Sequence, residues 1–144
     1  MSAFRRLSAG TAMMSLAACN SGGGKITRTF DSPDHEYVAV LVTEVGSEFP
    51  GSSCVDSVFV VPNKAASLRN YPASSRAYAG GCHILKMTSI DGHWVMPNAP
   101  KLRWTAPREL SIVFVPKPAR NGVAAPYSAT SLYNGAITIR NELQ

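Results

Sequence analysis

Tyr37-Val38-Ala39-Val40-Leu41-Val42-Thr43-Glu44-Val45 is the stretch on which the fold turns. It alternates with a period of two, as a strand does, but both faces are apolar. Tyr37, Ala39, Leu41 and Thr43 lie on one side of the extended chain, and Val38, Val40 and Val42 on the other. An ordinary antiparallel strand is apolar in and polar out. One that is apolar on both sides asks for cover on both. This segment therefore predicts a central strand with material above and below it.

The flanking sequence supplies that material. Lys25–Phe30 alternates more weakly, and Val55–Val61 repeats the pattern until Pro62, which has no N–H to give a ladder, stops it. His83–Met96 reads as a hairpin about the type I′ turn signal Asp91-Gly92. Its register pairs Ile90 with His93, Ser89 with Trp94, Thr88 with Val95 and Met87 with Met96, so Leu85, Met87, Trp94 and Met96 share an apolar face. Leu102–Trp104 and Leu110–Val115 are two further strands separated by a turn at Ala106-Pro107. Residues 116–130 read as a Pro/Gly/Ala-rich loop, Ala136–Arg140 as a last short strand, and a single helical turn is expected near Lys64–Asn70. Short strands joined by Gly/Pro turns predict an antiparallel all-β domain, a small sandwich or curled meander. Tyr37, Phe59, Trp94 and Trp104 are its expected aromatic core.

Composition agrees. The 144 residues are 45% hydrophobic and 16% charged, enough apolar content for one core and too little charge for a disordered polyelectrolyte. No apolar run reaches the ~20 residues of a spanning helix. The charges are segregated. Residues 31–56 carry six acids and no Lys or Arg, whereas residues 64–120 carry nine bases against Asp91 and Glu109. The two segments are expected to lie side by side and neutralise one another; a basic face for an anionic partner is the other reading.

Residues 1–18 read as a cleavable secretory leader, with Arg5 and Arg6 before the short apolar run Leu7–Ala18. The leader ends in Leu16-Ala17-Ala18-Cys19, which resembles the lipobox of bacterial lipoproteins. That resemblance implies acylation of Cys19, palmitate included, and attachment to the membrane through lipid. Asn20-Ser21-Gly22-Gly23-Gly24 follows as a side-chain-poor tether, placing the single β domain at 25–144. Asn20 is not the aspartate that favours inner-membrane retention in this class, so the resemblance implies the outer membrane, facing the periplasm. In an oxidising compartment the remaining pair, Cys54 and Cys82, reads as a disulfide.

Phe30-Asp31-Ser32-Pro33-Asp34-His35-Glu36-Tyr37-Val38-Ala39-Val40 resembles the SPDG turn-and-strand of bacterial β-propeller repeats. Trp104-Thr105-Ala106-Pro107-Arg108-Glu109-Leu110-Ser111-Ile112-Val113-Phe114 is similar to the segment that opens the following repeat. The same order resembles small uncharacterised bacterial proteins with one such strand and a cysteine-bearing loop. His35 stands where the repeat has Gly, at a position that often needs positive φ. A propeller needs about four blades or more to close, and the chain has material for about one and a half. A closed propeller is therefore excluded for the single chain.

Motifs that carry chemistry are absent: no G-x-S-x-G, P-loop, H-E-x-x-H or Cys-x-x-Cys occurs. His83 lies seven residues before the hairpin partner of His93, ~23 Å along a straight strand, which argues against a shared metal. No catalytic residue, metal or cofactor is therefore expected. Tyr71, Tyr78, Tyr127 and Tyr133 fall in loop-like stretches, and Tyr and Arg dominate interface hot spots. Arg69, Tyr71, Arg76, Tyr78, Arg120 and Tyr127 are thus the expected binding residues. The expected role is a non-enzymatic binding or structural module of the cell envelope, with an envelope protein, lipopolysaccharide or peptidoglycan as partner and no nucleic acid. The alternative is an inhibitor of an envelope-targeting enzyme such as lysozyme.

Overall fold

The structure, a computed structural model, describes residues 24–46, 54–82, 88–90, 93–95, 99–115 and 127–144. Eleven strands run in chain order: β1 (Gly24–Asp31), β2 (Tyr37–Val45), β3 (Cys54–Pro62), β4 (Arg76–Gly81), β5 (Thr88–Ile90), β6 (His93–Val95), β7 (Lys101–Ala106), β8 (Glu109–Phe114), β9 (Tyr127–Ser128), β10 (Ser131–Leu132) and β11 (Ile137–Leu143). They form a five-stranded sheet in the order β1-β2-β3-β4-β9, a four-stranded sheet β10-β11-β8-β7, and the pair β5-β6. The two larger sheets pack as a sandwich, the expected all-β class.

Strand β2 is an interior strand of the larger sheet, and every residue from Val38 to Thr43 is buried. On its inner face Ala39 and Leu41 meet Val58 and Val60 of β3, Leu110, Ile112 and Phe114 of β8, and Ile137 and Ile139 of β11. Each fully buried aliphatic side chain here contributes ~1.5–3 kcal/mol by leaving water. On the outer face Val38, Val40 and Val42 join Phe59 and Val61, and Ala65, Ala66 and Tyr71 of the β3–β4 connection lie over them. That connection opens with a 3-10 turn at Asn63–Ala65, which overlaps the start of the Lys64–Asn70 span expected to hold a helical turn.

The Cys54–Cys82 disulfide is present, with Cα atoms 5.1 Å apart. It ties the start of β3 to the residue after β4, beside a backbone hydrogen bond from Cys82 N to Cys54 O. Closing this loop is worth ~3.5 kcal/mol on the chain-entropy model. The expected register of the second hairpin is also seen, with Thr88 opposite Val95, Ser89 opposite Trp94 and Ile90 opposite His93. The Asp91-Gly92 turn and the Met87–Met96 pair lie outside the described residues.

Three features differ from the sequence expectation. Arg76–Gly81 is a strand rather than loop, and Tyr78 on it is buried at 4% exposure in the inner core. Its sequence, Arg-Ala-Tyr-Ala-Gly-Gly, has no β-branched residue, and only its pairing with β3 makes it extended. Second, the smaller sheet is mixed, because β11 runs parallel to β8, with Ile139 opposite Leu110. Parallel neighbours need a crossover. Here the chain leaves β8, adds β9 to the edge of the other sheet beside β4, and returns through β10. Third, β10 and β11 form a hairpin over 131–143, beginning before the single expected strand. Ala136 N donates to Tyr133 O, and Asn134 and Gly135 between them have φ of 55° and 88°, a type I′ turn.

This turn holds β11 in place beside β8. Gly135→Val puts a β-branched side chain at positive φ and is expected to cost about 1–2 kcal/mol. Equilibrium urea unfolding measures it, and an unchanged midpoint would show that the turn does not constrain the fold.

Candidate functional site

The two SPDG-like turns, far apart in sequence, meet at one corner of the sandwich. In the first, between β1 and β2, Pro33 and Asp34 occupy the middle of a turn closed by His35 N–H donating to Ser32 O, at 2.9 Å. His35 follows at φ 57°, the left-handed conformation expected of a residue at a Gly position. Ser32 is buried, and its hydroxyl donates to Asp34 Oδ1 at 2.6 Å while accepting from Tyr37 N. Glu36 N also donates to Asp34 Oδ1. The Ser32 hydroxyl, with help from Glu36 N–H and Arg108, holds the Asp34 carboxyl below its ordinary value.

The second turn, between β7 and β8, delivers Arg108. Its Nη1 donates to Asp34 Oδ2 at 2.7 Å and its Nη2 to Glu36 Oε2. The hydrogen bond to Glu36 raises the pKa of the guanidinium further, and Asp34 adds to it. The same guanidinium lies 4.7 Å from the centre of the Tyr37 ring. Tyr133, itself at φ 53°, stacks against Tyr37 with ring centroids 5.7 Å apart. Its hydroxyl donates to Val60 O at 2.7 Å, and burial pushes the phenol pKa up. A short distance away Trp104 Nε1 donates to Phe30 O at 2.9 Å, joining the edges of the two sheets. The acidic 31–56 segment and the basic 64–120 segment therefore do pair here, as the charge pattern predicts.

Two shallow depressions mark the surface, one at this corner and one toward the start of β1. One, of about 310 Å³, is lined by Glu36, Tyr37, Pro62, Asn63 and Lys64. Asn63 Nδ2 fixes its wall by donating to His35 O. The other, of about 420 Å³, lies between β1 and the β3–β4 connection and includes Lys25, Thr27, Leu68, Arg69 and Tyr71.

The structure sorts the expected binding residues into separate places. Arg69 and Tyr71 share the larger depression. Tyr71 and Arg76 both meet Phe59, with ring centroids 5.2 Å apart and the Arg76 guanidinium 5.5 Å from the ring centre. Tyr71 also donates its hydroxyl to Ala66 O, and burial raises its pKa. Tyr78 points into the inner core, where it packs on Phe114 at 4.8 Å and offers nothing to a partner. Tyr127 is half exposed on the edge strand β9, opposite Ala79 of β4. Arg120, Cys19 and His83 lie outside the described residues. Among the described residues no three His, Cys, Asp or Glu side chains converge as a metal site.

Lys64, Leu68 and Tyr133 are surface features that spacing alone did not single out as a group. A signal for the corner existed in the repetition of the SPDG-like motif. Two such turns at hairpin ends on neighbouring sheets can approach one another, and a base in one answers the acids in the other. The class these observations define is a small disulfide-closed β-sandwich with a charged aromatic corner and shallow, polar-rimmed depressions. The chain matches no protein-family model, no curated protein and no solved structure.

The corner gives the fold an acid response. Glu109, like Asp34, titrates below its ordinary value, held there by hydrogen bonds from Thr105 and Arg140. A carboxyl with a lowered folded-state pKa stabilises the fold above its unfolded value near pH 4, and that contribution is lost as pH falls through the lowered value. The urea midpoint is therefore expected to drop more between about pH 5 and pH 2 in the natural chain than in Asp34→Asn/Glu109→Gln. Parallel curves would take both carboxyls out of the acid response.

Proposed function

We propose that this chain is a non-enzymatic, lipid-anchored module of the cell envelope, held at the outer membrane through Cys19 and binding a partner in the periplasm. One observation carries the anchoring. Cys54 and Cys82 are joined to each other, which leaves Cys19, in its lipobox-like setting, as the chain's one remaining cysteine. A disulfide is at home in an exported protein. A thiol preceded by Leu-Ala-Ala and an Arg-flanked apolar run is a substrate for acylation.

Binding rather than turnover is favoured by the character of the surface. The depressions are shallow, and each includes a Tyr side chain, joined by Arg69 in the larger, the residue types that anchor protein interfaces. The left-handed residues His35, Tyr133 and Asn134 lie in turns whose conformation is fixed by hydrogen bonds and stacking. A preformed surface of this kind loses little entropy on binding.

Cell fractionation tests the anchor. Cys19→Ala is expected to abolish acylation and globomycin-sensitive processing; a variant still acylated and processed in that way would sink the lipidation reading. A photocrosslinking side chain placed at Lys64 tests the binding role in living cells. A discrete adduct, absent when the crosslinker sits at Arg103 on β7, is expected. Equal labelling from both positions would speak against a partner at this corner.

A further inference from the structure

The larger depression lies where an anchored chain must meet its membrane. We infer that the Lys25–Leu68–Arg69 surface is a juxtamembrane contact that seats the domain on the anionic phosphate headgroups of the bilayer. The inference rests on the anchoring proposed for Cys19 and goes beyond it, by assigning which face of the domain meets the lipid.

Chain length sets the distance. Five residue steps separate Cys19 from Gly24, the first residue of β1, and a fully extended chain covers ~17 Å in five steps. However that segment is arranged, the start of β1 cannot lie farther than this from the acylated residue. Lys25 is the next residue. It reaches directly to the depression, its Nζ donating to Arg69 O at 3.1 Å, so the 66–71 segment is held beside the same end of the strand. The opposite end of the β1–β2 hairpin carries the Asp34–Glu36–Arg108 corner, ~26 Å away along eight residues of strand.

The chemistry of this end suits a headgroup layer. Arg69 is exposed and forms no ion pair among the described residues. Lys25 shares Glu44 at 3.7 Å, with both side chains substantially exposed. Leu68, 49% exposed beside these cations, is one of five exposed large apolar side chains among the described residues. A leucine flanked by long basic side chains is the arrangement that dips into the interface while the cations stay at phosphate level. The facing walls are neutral: Thr27, Ala66, Ser67 and the Tyr71 ring, whose hydroxyl is committed to Ala66 O. Among the described residues Glu44 is the one carboxylate in contact, and it leaves their sum net positive. Each cation close to an anionic surface raises its occupancy about fivefold at low salt.

The test is amide hydrogen exchange on the acylated full chain reconstituted into vesicles. One set is phosphatidylethanolamine with phosphatidylglycerol, the other phosphatidylcholine alone. Exchange over residues 66–71 is expected to be about fivefold slower on the anionic vesicles. The difference should vanish at high salt and in Lys25→Glu/Arg69→Glu, and persist in Arg103→Glu on the other sheet. Equal exchange on both vesicle types, or protection confined to residues 127–144, would overturn the inference while leaving the anchor intact. An intact mass without acyl groups would overturn the anchor itself, and the assigned orientation with it.

Discussion

A nine-residue strand that is apolar on both faces cannot be satisfied by one layer, and the architecture follows from that constraint. The inner face of β2 is covered by the second sheet, the outer face by the β3–β4 connection folded back over Val38, Val40 and Val42. Each cover makes its own demands. The second sheet must be drawn against the first at its edges, which the Trp104–Phe30 hydrogen bond and the Arg108 ion pairs accomplish. The connection must be held down over valines by residues with little else to fix them. Its Tyr71 ring against Phe59, and the Tyr71 hydroxyl donating to Ala66 O, supply the hold.

Two of the polar side chains drawn into this sandwich are matched across neighbouring strands, whereas Arg76 Nε and Asn141 Oδ1 are buried without a hydrogen-bond partner among the described residues. Asp56, 1% exposed on the inner side of β3, accepts from the Thr43 hydroxyl at 2.6 Å on neighbouring β2. Ser111 of β8 donates to Glu142 of β11 at 2.8 Å, across the parallel pair. Unmatched, a buried carboxylate in a domain this small would cost a large share of its net stability. Arg108 plays the comparable role at the surface, where one planar guanidinium engages two carboxylates and an aromatic face at once. A lysine could not reproduce that geometry.

What could be read from the residues divides along physical lines. Strands β2 and β3 were legible because their β-branched alternation is a local property. The disulfide followed from cysteine parity and the left-handed His35 from a turn pattern. Strand β4 was not legible, since Arg-Ala-Tyr-Ala-Gly-Gly has no extended preference of its own and takes its conformation from β3. Tyr78 therefore reads as a loop residue, though its ring fills the core. The Asn134-Gly135 turn did have a sequence signal, but Ser131-Leu132 is too short a strand to display alternation beside it. The parallel β8–β11 pairing has no local signature at all. The corner has no local signature either: Arg108 and Asp34 are 74 residues apart, and only the charge segregation and the repeated SPDG-like motif point to their meeting.

The crossover has a consequence for how the two ends of the molecule differ. Because β11 lies parallel to β8, the β10–β11 turn is brought to the same end as the β7–β8 turn. The β1–β2 turn joins them there, so three turns, from both sheets, converge on one corner. Tyr133, Arg108 and Tyr37 arrive from the three and stack in series. An antiparallel β11 would have sent its hairpin turn to the opposite end, leaving Tyr37 without its second ring and Val60 O without its donor. At the other end of the hairpin, Gly24 opposes Val45, and Lys25 leads into the open Leu68–Arg69 surface. One end is thus knitted from hydrogen-bonded turns and interlocked charges. The other, where the chain arrives from Cys19, sets the Cys54–Cys82 disulfide beside the basic Lys25–Arg69 surface. On the reading that Cys19 is acylated, this polarity directs the aromatic corner into the periplasm and leaves the basic surface to the membrane.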